Sequence, residues 1–131
     1  MARILVIEDD ADMRLWMEHT LISAGHRVTL AADGQEGVKS FRKGSMDLVI
    51  TDLFMPNQEG LETIRQLQKE FPDTAIIAIS GEAGGIPTEE FGVVPTMLKA
   101  AEQLGASAIL QKPFMPQELI ETVKNVLEVV K

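Results

Sequence analysis

Five short apolar runs, each followed by an amphipathic segment, constrain this chain more than any other feature. The runs are RILVIE (3–8), RVTLA (27–31), DLVIT (47–51), TAIIAIS (74–80) and SAIL (107–110). Four of them contain unbroken apolar stretches instead of an apolar–polar alternation, which predicts strands covered on both faces. Apolar residues then recur at helical spacing: Met13, Trp16, Met17, Leu21 and Ala24; a segment near 34–43; Leu61, Ile64 and Leu67; Met97, Ala101 and Leu104; and Ile120, Val123, Leu127 and Val130. Gly25, Gly44 and Gly105 follow three of these segments where a left-handed cap is expected, and Pro72 and Pro95 mark a further end and a beginning. Strands joined through helices run parallel, and right-handed crossovers put helices on both sides of the sheet. The expected fold is α/β: a doubly wound, five-stranded parallel sheet with helices on both faces.

Composition narrows the chemistry. A chain of 131 residues, 45% hydrophobic and 24% charged, suits a single domain over 1–131 with a real core, and no repeat, low-complexity tract or linker divides it. There are no cysteines, which excludes disulfides and thiolate metal sites and points to a reducing, cytoplasmic setting. The start MARILVIEDD has an apolar run of four residues before three acids, too short for a signal peptide or a membrane span. A formal charge of -8 argues against direct contact with nucleic acid, whose phosphates are held by basic surfaces. Proteins, cations, or a phosphoryl group neutralised by a cation are the expected partners.

In an open parallel sheet, ligands gather outside the carboxyl ends of the strands. At those ends the sequence places Glu8-Asp9-Asp10, Asp52, Ser80-Gly81 and Gln111-Lys112-Pro113. Crowded carboxylates resist ionisation unless a cation joins them, and a hard oxygen-ligand set suits magnesium. Asp52 is placed to act as a nucleophile that takes a phosphoryl group in line, Lys112 to pair with a phosphoryl oxygen, and Ser80 to donate to another. The added charge would draw Ser80 and its loop inward, which makes a switch in place of a metabolic enzyme.

On these residues the chain resembles the receiver domain of two-component response regulators, the CheY-like family. ILVIEDD resembles the family's acidic pair, DLVITDLFMPNQEG its phospho-acceptor segment, AIIAISG its hydroxyl strand and ILQKPF its lysine-proline signature. The resemblance covers essentially the whole chain. It implies a flavodoxin-like strand order, 2-1-3-4-5, and Asp52 as the phosphorylation site. It also implies Lys112 as the phosphate-pairing lysine before a cis bond to Pro113, and Ser80 as the switch hydroxyl. Mg2+ or Mn2+ would be held by Glu8, Asp9, Asp52 and the Phe54 backbone carbonyl, with Asp9 the direct ligand and Glu8 its partner. Asp10, the third acid, is read as a helix N-cap before ADMR. A histidine kinase or histidine phosphotransfer protein would supply the phosphoryl group, and a downstream protein or fused output domain would receive the signal. The oligomeric state is left open.

Three departures stand beside the agreements. From Ser80 to Lys112 the chain counts 32 residues, and the excess falls in GEAGGIPTEEFGVVP, read as an extended loop at about 81–95 before the fourth of the five helical patterns. Ile109 stands at the switch position where the family often carries an aromatic, and no tyrosine exists in the chain. Phe54 and Glu82 flank the expected path of an attacking water, so bulky Phe54 is expected to lengthen the phosphoryl lifetime. His19 and His26 lie seven apart without acidic or cysteine partners and are read as ordinary side chains. A receiver-like module that binds proteins constitutively is the alternative function. A phosphohydrolase is a third, disfavoured because Phe54 stands where a general acid is needed.

Overall fold

The apolar runs pair as the crossover argument requires. In the computed structural model, which describes residues 2–53, 60–80 and 105–129 without the side chains of Leu61, Ser80 and Val129, five strands form one sheet. These are β1 (Arg3–Ile7), β2 (Arg27–Ala31), β3 (Leu48–Asp52), β4 (Ala75–Ser80) and β5 (Ala108–Gln111). All pairings are parallel and the order is β2-β1-β3-β4-β5. Four helices are described: α1 (Ala11–Ser23), α2 (Gly34–Lys43), α3 (Gly60–Glu70) and α4 (Pro116–Val129). The extended loop expected at 81–95, the pattern of Met97, Ala101 and Leu104, and Val130 lie outside the described residues.

Side chains alternate across the sheet with period two and build a core on each side. Ile4, Val6, Leu48, Ile50, Ile77 and Ile79 pack with Met17 and Leu21 of α1 and Leu119, Val123 and Val126 of α4. Leu5, Ile7, Val49, Ile76 and Ala78 pack with Val38 and Phe41 of α2 and Ile64 and Leu67 of α3. Strands β1, β3 and β4 are covered on both faces, which explains their unbroken apolar runs. Each fully buried leucine or isoleucine contributes roughly 1.5–3 kcal/mol. The outer strand β2 carries the alternating run RVTLA and is buried only at Ala31.

Details differ from expectation in three places. Gly25 and Gly105 adopt left-handed φ values of 95° and 114°, but Gly44 does not, with φ -162° and ψ 119°. Its N–H donates to Ser40 O at 3.3 Å and the chain then leaves α2 extended, so no left-handed residue is needed. Ala24 is an exposed C-cap and no part of the apolar face of α1. In α4 the buried stripe is Leu119, Val123 and Val126, one residue offset from Ile120, which is half-buried.

Candidate functional site

The register of the sheet brings the acids together. Ile7 pairs with Thr51 on the adjacent strand, so the next residues, Glu8 and Asp52, lie at one level of the sheet. Asp52 belongs to β3 and does not follow it: it pairs with Ile79, and the Leu53 N–H still donates to Ile79 O at 2.8 Å. Both side chains are buried, Glu8 to 1% and Asp52 to 4% exposure, whereas Asp9 is exposed. One carboxylate oxygen from each of Glu8, Asp9 and Asp52 lies within 4.8 Å of the others.

Lys112 reaches this cluster from one residue beyond β5. Its Nζ donates to Asp52 Oδ2 at 2.7 Å and to Glu8 Oε1 at 3.0 Å, and the Lys112–Pro113 bond is cis. These contacts span 60 and 104 residues of sequence, so the fold alone creates them. Burial works to lower the Lys112 pKa, but the bond to Asp52 and the charges of both acids hold the ammonium above its usual value. Glu8 moves the other way. Burial, and then the negative charge of Asp52, push its carboxyl from 4.5 up to about 7, against the opposing bond from Lys112.

A raised carboxyl pKa means that the folded state holds the proton more tightly than the unfolded chain. The stability this contributes is complete below pH 4.5 and is lost as pH rises through about 7. Thermal melting in chelator is expected to show that decline, and Glu8→Gln to flatten it. An unchanged slope in the variant would refute the assignment.

The loop after β1 is held by five further contacts. Asp10 caps α1, its Oδ1 accepting from Asp12 N at 2.9 Å and Met13 N at 3.2 Å, as its place before ADMR suggests. Its own N–H donates to Glu8 Oε2 at 3.1 Å. Arg14 Nη1 donates to Glu8 O at 2.8 Å and lies 3.5 Å from Asp9 O. Sequence reasoning assigns Arg14 no role. One signal was available: a cation in the first turn of a helix opposes the helix dipole, so such a residue needs another reason to be there.

Gly60, which closes the segment DLVITDLFMPNQEG and reads as a stop to regular structure, is instead the first residue of α3. A Cβ there would fall within 2.8 Å of the Leu53 carbonyl carbon and closer still to the Asp52 carbonyl oxygen, so α3 begins against the backbone of Asp52 and Leu53. Its N–H donates to Leu53 O at 3.1 Å. Gly60→Ala is expected to cost about 2–3 kcal/mol in urea unfolding, because backbone cannot move aside as a flexible side chain does. A cost below about 0.5 kcal/mol, the usual size of a surface effect, would contradict this packing.

Of the remaining expected site residues, Ser80 ends β4 in register with Gln111, next to Lys112, but its side chain is outside the described residues. Phe54 and Glu82 also lie outside them. Ile109 is half-buried in β5 opposite Ala78. His19 is exposed, and His26 accepts a bond from Ala2 N at 3.2 Å through Nδ1, away from the acids. The donor set fits a divalent cation: three carboxylates, two of them buried, form a hard-oxygen cluster whose repulsion a cation would relieve. Among the described residues no helix is long and apolar enough to cross a membrane.

Comparison with known proteins identifies a family and agrees with the fold. The family described as the response regulator receiver domain matches residues 4–124. The chain is 34% identical over 126 residues to the DNA-binding transcriptional regulator NtrC of Azospirillum brasilense, covering 96% of this chain and 24% of that protein. It is 28% identical to the chemotaxis protein CheY of Thermotoga maritima, covering 95% of this chain and 96% of the relative. Among solved structures, Vibrio cholerae chemotaxis protein CheY4 superposes with a TM-score of 0.83 at 30% identity, covering 96% of this chain and 98% of that one. The chain thus spans about a quarter of the NtrC relative and nearly all of the CheY relatives.

Proposed function

This chain belongs to the response regulator receiver domain family, a family of signalling domains, and on that premise we propose that it is switched by phosphorylation of Asp52. The observation that carries the reading is the convergence of Lys112 with the Glu8 and Asp52 carboxylates at one rim of the sheet. An Asp52 oxygen attacks phosphorus, the bond from phosphorus to the donor breaks, and its electrons leave with the donor, yielding an aspartyl phosphate. Lys112 already faces Asp52 Oδ2 and so is positioned to follow the charge as it moves onto the phosphoryl oxygens.

Glu8, Asp9 and Asp52 would hold Mg2+ or Mn2+, with the Phe54 carbonyl as a further ligand, and the ion would offset the charge of an approaching phosphoryl group. Because the Glu8 proton must leave before its oxygen can serve a cation, affinity for magnesium is expected to rise as pH passes through about 7. Calorimetry in buffers of different ionisation heat would detect the released proton.

Ser80 supplies the hydroxyl that follows the added charge, and Ile109, lacking an aromatic ring, leaves the coupling to backbone and helix movement. The phosphoryl source is a histidine kinase or histidine phosphotransfer protein. The output is a downstream protein or a fused domain, as the larger NtrC-type relatives invite. The domain works in the cytoplasm and acts as a switch without substrate turnover of its own.

Incubation with magnesium and acetyl phosphate, followed by intact mass, tests the function. One added phosphoryl group supports it. No change would favour a constitutive binding module, and continued release of phosphate a hydrolase.

A further inference from the structure

We propose that Arg14 is a positioning residue that shapes the backbone turn through which the Glu8 and Asp9 carboxylates come to one side. The inference rests on the reading that these acids take a divalent cation. Successive residues of a strand point to opposite faces. If the chain continued straight after β1, Glu8 and Asp9 would diverge, yet one oxygen of each lies within 4.8 Å of the other and of Asp52. The chain must therefore leave strand geometry at this point.

The last ladder-like bond, Glu8 N to Ala31 O at 3.0 Å, fixes where the departure begins. Of the bonds that shape the turn beyond it, the one from Asp10 N engages the Glu8 carboxylate itself, at Oε2. The one from Arg14 does not. It lands on the Glu8 carbonyl at 2.8 Å, with the Asp9 carbonyl 3.5 Å away, and leaves the carboxylate oxygens to other partners. The guanidinium makes this reach from the first turn of α1, where the helix dipole disfavours a cation. Both contacts come from one nitrogen, Nη1, which carries two hydrogens and so can serve two neighbouring carbonyls.

Positioning and charge predict opposite signs. As a bare charge near the cluster, Arg14 repels a cation, and neutralising it would tighten magnesium binding. As a clamp on the turn, its removal lets the acids spread and weakens binding. The test is calorimetric magnesium affinity of the unphosphorylated chain for the parent, Arg14→Met and Arg14→Lys, with melting curves in chelator to verify folding. Arg14→Met is expected to fold and to bind magnesium roughly tenfold more weakly, in line with supporting residues around other metal sites. Arg14→Lys should fall between the two. Equal or tighter binding by Arg14→Met would overturn the proposal, and so would failure of both variants to fold, which would make the contact purely structural. A parent that binds no magnesium would instead overturn the cation reading on which the proposal stands.

Discussion

Asp52→Asn is expected to yield a folded protein that acetyl phosphate and magnesium no longer phosphorylate. Asparagine has nearly the volume of aspartate, and its amide oxygen can still accept from Lys112, so the 4%-exposed site keeps its packing. What disappears is the anionic oxygen. The amide nitrogen shares its lone pair with the carbonyl and attacks phosphorus poorly, so adduct formation should fall by a factor on the order of 10³ or more, as for enzymes stripped of their nucleophile. The variant should also bind magnesium more weakly, having lost one of three clustered carboxylates. Undiminished adduct in the variant would mean that the acceptor lies elsewhere.

Lys112→Met should destabilise the protein in a manner that depends on pH. The ammonium of Lys112, a residue whose side chain is 26% exposed, bridges the carboxylates of Glu8 and Asp52, whose side chains are almost fully buried. Methionine keeps most of the stem and removes the charge, leaving two nearby buried carboxylates to repel each other. Truncating one partner of a buried ion pair costs about 3 kcal/mol or more. Protonation offers an escape: Glu8, with a carboxyl already raised to about 7, takes up a proton more readily once the lysine is gone. The deficit should therefore be largest in mildly alkaline chelator, shrink as pH falls below about 7, and shrink again when magnesium is added. Urea unfolding across that range measures it. A deficit that is independent of both pH and magnesium would show that Lys112 acts only through packing.

The parts of this molecule that were legible in the sequence share a physical reason. A strand buried on both faces must be continuously apolar, so β1, β3 and β4 are legible in ILVI, LVI and AIIAI, whereas their order in the sheet came from the resemblance alone. The site was legible as a set of strand-end residues, because a parallel sheet gathers its carboxyl ends on one rim. Glu8, Asp9, Asp52 and Lys112 do meet there. Less visible were features that depend on a single close approach. Asp52 reads as the residue after a strand because it is charged, yet backbone pairing with Ile79 ignores side-chain charge and carries β3 through it. Gly44 reads as a left-handed cap, but spacing cannot tell a chain that turns from one that simply extends. The tight seat of Gly60 and the backward reach of Arg14 are contacts to backbone, to which a pattern of side-chain types is blind.

The role of Asp52 as acceptor is tested most directly by finding where the phosphoryl group sits on the parent protein. Borohydride reduces an aspartyl phosphate to homoserine, and peptide mass mapping then reads the position. The account predicts a single reduced site, Asp52. Reduction at Glu8 or Asp9, or a phosphoryl group retained on His19 or His26, would contradict it.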